Sequence, residues 1–229
     1  MKSISRMSVV LFALLMAISM VTPAMAQVPT KKEIKANRKY DSQVKKDLDK
    51  RSMKMARKEA RKLRKEGWYV PPGGLPMDKM LERAFMKQYE EDANGYPRYI
   101  VGNASSVGGT KIASKNQAIE AAKLELAGQI ETTIVGLVNN SVANNQITQE
   151  EATSLTKTVT GSKNIISQKI GRVLVIFEAY RDMGKNVEST VRIAYNQEMA
   201  MEAAKETIRD ELEDEADEIH KKLDQILDF

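Results

Sequence analysis

The chain has no cysteine among its 229 residues, and this absence excludes several kinds of chemistry. Without thiols there is no disulfide framework, no thiolate nucleophile and no zinc site built on sulfur. Lipid attachment to a cysteine behind a leader peptide is excluded as well. The fold must therefore be stabilised by ordinary burial of apolar side chains.

Histidine is almost as scarce, since His220 is the only one. It lies in the acidic segment near the C-terminus, where an imidazolium would interact favourably with a helix dipole. A single histidine without cysteine gives neither a metal-ligand pattern nor a nucleophile–base pair. We predict no catalytic residue, no cofactor and no metal. A pair of facing carboxylates for glycoside cleavage stays open, because the sequence does not say which carboxylates meet.

Long apolar runs are missing too, apart from one at the N-terminus. Two basic residues precede an apolar run over 9–20, and Ala24 and Ala26 then take the −3 and −1 positions of a cleavage site. This pattern predicts a secretory signal peptide over 1–26 and a periplasmic protein, with association to the outer membrane left open. No later run reaches membrane-spanning length, so we expect no transmembrane anchor.

Opposite charges collect at the two ends of the mature chain. Segment 31–65 is strongly basic and segment 198–228 is strongly acidic. The basic part lacks proline and glycine as far as Gly67, which predicts a long, mostly exposed helix within a basic extension over 27–66. The candidate interaction surface consists of four basic residues in the second half of that helix and the two aromatic residues after it: Arg57, Arg61, Lys62, Lys65, Trp68 and Tyr69.

The basic helix has three interpretations. It could bind an anionic envelope component such as lipopolysaccharide phosphate or a cell-wall polymer. It could pair with the acidic C-terminal helix, within one molecule or between two. It could also be a solvated helix with excess lysine. Nucleic acid fits the charge but not an exported location, and the helix lacks the broad apolar face that membrane insertion needs.

The sequence after the basic segment predicts three further parts. Residues 67–97 hold a loop rich in tryptophan, proline and glycine, followed by a short helix that Asp78 caps and that ends near Glu91. Residues 98–197 form the central α+β domain. Residues 198–229 form one acidic helix with an apolar stripe.

Within the central domain the pattern alternates between strand and helix. A short strand over 99–101 leads through glycines into an alanine-rich helix, and 132–142 has β-like composition. Thr148 with Glu151 fits a capping box at the start of another helix. Strands over 172–181 and 187–195 then form an antiparallel hairpin, of which the first is predicted to be central or covered on both faces.

These elements predict an α+β fold. It should contain a small, mostly antiparallel sheet with packed helices, flanked by the long basic N-terminal helix and the acidic C-terminal helix. The hairpin between the last two strands argues against a doubly wound sheet.

The glycines after the first strand do not form a phosphate-binding loop. A P-loop needs lysine directly after its last glycine, but here Gly109 is followed by Thr110 and then Lys111. A dinucleotide fingerprint fails at its second glycine, where Ala104 stands. We therefore interpret these glycines as the corner where the chain leaves a strand and enters a helix.

Several stretches resemble the Lpp-twenty lipoprotein-like domain family and are similar to the N-terminal domain of the flagellar-assembly protein FlgT. They are YIVGNAS at 99–105, the alanine-spaced helix over 113–126, ELAGQI at 125–130 and GRVLVIFEAYRDMGKNVESTVRIAY at 171–195. The resemblance covers about 98–195 and implies a small α+β envelope domain without enzymatic activity, often part of larger assemblies. The lipidation cysteine of such lipoproteins is missing here.

The sequence thus predicts a non-catalytic exported protein that acts through protein–protein contacts in assembly or maintenance of the cell envelope. The alternative is a salt-sensitive binding module for an anionic envelope component. The expected partners are envelope proteins or an anionic polymer, with no nucleic acid, and self-association is left open.

Overall fold

The computed structural model describes residues 46, 50–92, 95–212 and 217–227, with the backbone alone described at 217–220. The predicted signal peptide, residues 27–45 and the side chain of His220 lie outside the described residues. Within them the elements in chain order are α1 (50–65), α2 (Met77–Gln88), β1 (Tyr99–Gly108), α3 (Lys111–Ala143), α4 (Gln149–Gly161), α5 (Lys163–Lys169), β2 (Leu174–Met183), β3 (Asn186–Asn196), α6 (Gln197–Glu211) and α7 (Asp217–Leu227). Three antiparallel strands with packed helices confirm the α+β prediction.

The strands form a sheet in the order β1-β3-β2. The predicted hairpin between β2 and β3 is confirmed, with Met183 opposite Asn186 across a two-residue turn. Gly184 takes the first turn position with φ +69°, a left-handed conformation that glycine adopts without strain. β3 lies in the middle and β2 at an edge, so β2 is not central. The other alternative, a strand covered on both faces, is confirmed, because Val175 packs against one hydrophobic core and Phe177 lies in another.

A β-bulge changes which side chains of β2 share a face. The sequence alternation places Val175 and Phe177 on one face, but the register shifts between these two residues. Val175 therefore packs against one core of the molecule, whereas Phe177 and Ala179 lie in the other. An extra residue in one strand reverses a period-two pattern, and the pattern alone does not reveal it.

The two faces of the sheet carry separate hydrophobic cores. On one face the β3 residues Val191 and Ile193 pack with α3 to α7, and we call this the large core. On the other face Phe177 and Ala179 pack with α1, α2 and Trp68, and we call this the small core. Helices α1 and α6 therefore lie on opposite faces of the sheet.

Helix α3 is one continuous helix of 33 residues, so the β-like interpretation of 132–142 was wrong. Its buried side repeats every four residues without interruption: Ala118, Ala122, Leu126, Ile130, Ile134 and Val138. This repeat keeps one apolar stripe against the large core. Burial of that stripe outweighs the small helix penalty of threonine, isoleucine and valine in the second half.

Strand β1 is longer than predicted and continues through the first glycine to Gly108. Gly102 lies inside the strand, not at a corner. Its role is to leave room for α3, because a Cβ atom there would be 2.5 Å from the Ala122 carbonyl oxygen. At the strand end, a Cβ on Gly108 would be 2.7 Å from the Ser114 nitrogen. Both glycines permit close contact between α3 and the sheet.

Two helix boundaries differ from the prediction. The residue before α2 is Pro76, and Asp78 lies within the first turn, where it accepts a hydrogen bond from Arg64 at 3.1 Å instead of capping the helix. The acidic C-terminal segment contains two helices, α6 and α7, not one. Arg209 donates to Asp224, although these residues would be about 22 Å apart in a continuous helix.

The C-terminus of α1 at Gly67 agrees with the prediction. Gly67 has φ +85°, its N–H donates to Arg64 O at 3.2 Å, and the Trp68 N–H donates to Leu63 O at 3.0 Å. These two bonds form a Schellman motif, which turns Trp68 back into the small core beside Leu63. Among the described residues, no helix is both long and apolar enough to cross a membrane.

Candidate interaction surfaces

The basic residues of α1 lie on the side of the helix that faces away from the sheet. Lys54, Lys58, Arg61 and Lys65 follow one another at intervals of four, three and four residues, and all are exposed. We call these four residues the cationic stripe. At 1.5 Å per residue the stripe extends for about 16 Å along the helix.

The opposite side of α1 is buried, which fixes the direction of the cationic stripe. Ser52, Ala56 and Ala60 are spaced four residues apart and are at most 3% exposed. Small side chains there allow the helix to lie close to the sheet. The cationic stripe therefore lies on a helix whose other side is packed against the sheet, and not on a free extension.

Few acidic groups neutralise this surface. Within the described residues the stripe has no ion pair, and the pairs nearby are Lys62 with Glu66 at 3.9 Å and Arg64 with Asp78 at 3.1 Å. Like charges at i and i+4 destabilise a helix by about 0.2–0.5 kcal/mol per pair. The stripe therefore opposes helix stability, and packing of the buried side offsets it.

The predicted surface residues divide into two groups. Arg57, Arg61, Lys62 and Lys65 are all exposed on α1. Trp68 is 8% exposed and belongs to the small core, with the Arg181 guanidinium 4.8 Å from its ring centroid. Most of Trp68 is thus used inside the molecule, and the basic residues form the accessible part of the predicted surface.

Tyr69 connects the loop after α1 to the edge of the sheet. Its backbone exchanges two hydrogen bonds of 2.8 Å with Tyr180, and its hydroxyl donates to Asp182 at 2.8 Å. Lys111 Nζ lies 4.9 Å from the Tyr69 ring centroid. Hydrogen bonding to Tyr69 raises the pKa of Lys111, with the Asp182 charge acting in the same direction. The half-buried Tyr69 therefore covers the free edge of β2.

An ion pair that the sequence did not reveal joins α1 to the central strand. Glu59 accepts a hydrogen bond from Arg192, and both side chains are mostly buried. The Arg192 guanidinium lies 5.4 Å from the Phe85 ring and 5.7 Å from the Phe177 ring. Glu59 shares the inner side of α1 with Ala56 and Ala60, so helical spacing could have placed it on the buried side, but it could not have identified Arg192 as its partner.

A shallow polar cleft of about 250 Å³ opens beside this ion pair. It lies between α1, α2 and the sheet and is lined by Glu59, Leu63, Phe85, Gln88, Asn103, Phe177, Thr190 and Arg192. Its one acid and one base already contact each other. The cleft therefore offers a small ligand few uncommitted charged groups.

In the part of the chain that the structure describes, an acidic surface lies on α6. Glu198, Glu202, Glu206 and Asp210 recur every four residues and are all exposed. We call these four residues the acidic stripe. Lys169 lies 3.7 Å from Glu206 and 2.8 Å from Asp210, and the hydrogen bond to Asp210 is the main reason that the pKa of Lys169 is raised.

The described residues contain no cluster of three or more histidine, aspartate or glutamate side chains arranged to hold a metal ion. Comparison with protein-family models, with curated proteins and with solved structures gives no match to this chain.

Proposed function

We propose that this chain is an exported, non-catalytic protein of the bacterial cell envelope that acts by binding other envelope proteins. Its contact surface is the cationic stripe. The observation that carries the proposal is the stripe itself, in which four exposed cations without ion pairs in the described structure stand in line on a helix with a buried opposite side. The predicted signal peptide supports export, and the resemblance over 98–195 supports a non-enzymatic envelope role.

The physical role of the cationic stripe is attraction and orientation of a negatively charged partner surface. Exposed ion pairs contribute only about 0.2–1 kcal/mol each, so four of them give a weak contact. The charges nevertheless raise the rate of encounter with an acidic surface and disfavour basic partners. Because α1 is packed against the sheet, these charges are presented in a fixed line.

An anionic envelope polymer is the second candidate partner. The linear arrangement of the cationic stripe favours it, since Lys54 to Lys65 extend for about 16 Å and could follow several charged groups of one extended chain. Either partner would be released by salt, because screening over about 8 Å at physiological ionic strength weakens contacts between exposed charges.

Crosslinking in intact cells, with identification of the captured proteins, tests the first candidate. The variant Lys58→Glu with Arg61→Glu reverses the middle of the cationic stripe. The control Arg172→Glu with Lys185→Glu changes the net charge equally at two exposed positions outside α1 that have no ion pair in the described structure. We expect the stripe variant to lose crosslinked partners and the control to retain them. Equal capture by both variants would contradict the proposal.

The polymer candidate requires a direct binding measurement. Purified lipopolysaccharide is titrated with the wild-type protein at about 50 mM and 300 mM salt, a range over which the screening length falls markedly. Salt-sensitive binding that the stripe variant lacks, together with no protein crosslinks, would replace the first candidate by the second. Binding that ignores salt would exclude the cationic stripe as the site.

A further inference from the structure

The cationic and acidic stripes are located where they cannot meet within one molecule. Helix α1 packs in the small core through Ala56 and Ala60. Helix α6 packs in the large core through Ala200, Ala204 and Ile208, on the other face of the sheet. Each stripe lies on the outer side of its helix, so the two point away from the sheet in opposite directions.

The acidic stripe retains negative charge after its internal ion pairs are counted. Glu206 and Asp210 share Lys169, whereas Glu198 and Glu202 have no ion pair in the described part of the chain. Arg209 lies on the same side of α6 but is engaged by Asp224 of α7. The uncompensated end of the acidic stripe is therefore the first turns of α6.

We propose that the cationic stripe of one molecule binds the acidic stripe of a second copy. This inference rests on the proposed function, because it assigns a partner to the same cationic surface. Two stripes on opposite faces cannot both contact one neighbour around a two-fold axis. The contact is therefore heterologous, and repeating it produces an open head-to-tail chain of molecules.

The dimensions of the two stripes match. From Glu198 to Asp210 the acidic stripe extends over twelve residue steps, about 18 Å along the helix axis. From Lys54 to Lys65 the cationic stripe extends over eleven steps, about 16 Å. Both are straight helical rows with charges every three or four residues. Side-by-side packing would place lysine and arginine opposite glutamate along most of this length. Such a contact between exposed charges is weak and is removed by salt.

Sedimentation velocity of the purified mature protein tests the proposal. At about 20 mM salt, where screening is weak, we expect the average mass to increase with protein concentration. At about 300 mM salt we expect a single monomeric species at all concentrations. A protein that stays monomeric at low salt up to millimolar concentration would overturn the proposal.

Two charge-reversed variants make the test specific. One carries Lys58→Glu and Arg61→Glu, and the other carries Glu198→Lys and Glu202→Lys. Each variant keeps one native stripe and loses the other, so neither should self-associate. In an equal mixture the native acidic stripe of the first variant meets the native cationic stripe of the second. The two reversed stripes also carry opposite charges, so the mixture should regain the self-association that each variant lacks alone.

Three outcomes contradict the inference. They are self-association of either variant alone, no association in the mixture, and loss of self-association in the charge-matched control with Arg172→Glu and Lys185→Glu. The variant with Glu198→Lys and Glu202→Lys, which we call the α6 variant, separates this inference from the proposed function, because it retains the whole cationic stripe. If wild type is monomeric but the α6 variant still captures envelope proteins in cells, the self-contact fails and the proposed function stands.

Discussion

At the residue scale, Gly102 sets the distance between β1 and α3. A Cβ atom at this position would lie 2.5 Å from a backbone oxygen of α3, and backbone cannot move aside as a side chain can. We expect Gly102→Ala to reduce the free energy of unfolding by about 1–3 kcal/mol through overpacking. Urea denaturation followed by circular dichroism measures this change.

The matched control is the same substitution at Gly136, inside α3. A Cβ there meets no atom within 4 Å, so only helix propensity changes. Gly136→Ala should therefore increase the free energy of unfolding by about 0.5–1 kcal/mol. If both alanine variants shift stability in the same direction, the close approach at Gly102 does not limit packing.

Glu151 makes stability depend on pH in the acid range. Its hydrogen bond with Lys222, and next the backbone N–H of Thr148, lower the pKa of its carboxyl group. A carboxylate with a lowered folded-state pKa stabilises the fold above its unfolded pKa, and this contribution is lost as the pH falls through the folded value. Glu151→Gln should therefore flatten the decrease in the urea midpoint between about pH 6 and pH 3. Glu150→Gln, at the exposed neighbouring position, should leave the decrease in the urea midpoint as it is in wild type. Equal curves for the two variants would contradict this role of Glu151.

At the element scale, the start of α4 shows what a local motif predicts well. Thr148 accepts from the Glu151 N–H at 3.2 Å, and the Glu151 carboxylate accepts from the Thr148 N–H at 2.8 Å. This confirms the capping box read from four consecutive residues. The β2–β3 hairpin was equally predictable, because its turn and alternation are contained in one short segment.

Longer-range features were not predictable from local composition. The second half of α3 has the β-branched residues of a strand, yet its buried stripe continues that of the first half at the same interval of four. That interval was the signal that could have corrected the interpretation. The length of β1 had no such signal, because Asn103 to Ser106 are poor strand formers that become a strand by pairing with β3.

The distinction between local patterns and long-range contacts also applies to the candidate interaction surface. The exposure of Arg57, Arg61, Lys62 and Lys65 follows from helical spacing and charge, and the sequence predicted it. The burial of Trp68 depends on the Schellman turn that directs it into the small core. The partner of Arg192 is Glu59, which is 133 residues away in sequence, and local patterns contain no information on such a pair.

The cap of α4 gives a prediction for this element. Thr148→Ala removes the acceptor for the Glu151 N–H and should cost about 1 kcal/mol of unfolding free energy. Thr153 provides the control, since it is exposed within the same helix and its hydroxyl donates only to the Gln149 carbonyl at 2.8 Å. Thr153→Ala should change stability by less than about 0.5 kcal/mol. A similar loss in both variants would mean that the cap is not the origin of the effect.

At the scale of the whole molecule, two cores of unequal size share one thin sheet. The large core joins α3 to α7 with β3, whereas the small core holds α1, α2 and Trp68 on the bulged edge strand. Regions with fewer buried contacts open at lower free energy than the main core. We therefore expect α1 to detach from the sheet before the large core unfolds.

Ala60→Arg tests this order of opening and the fixed direction of the cationic stripe together. Ala60 is fully buried, so an arginine there must either carry a charge into the small core or push α1 off the sheet. Hydrogen exchange should then show loss of protection for the amides of α1, while those of α3 stay protected. Met55→Arg adds the same side chain on the exposed side of α1 and should leave both helices protected. If Ala60→Arg instead removes protection from α3 to the same extent, the two cores unfold as one cooperative unit, and α1 is as integral to the fold as the large core.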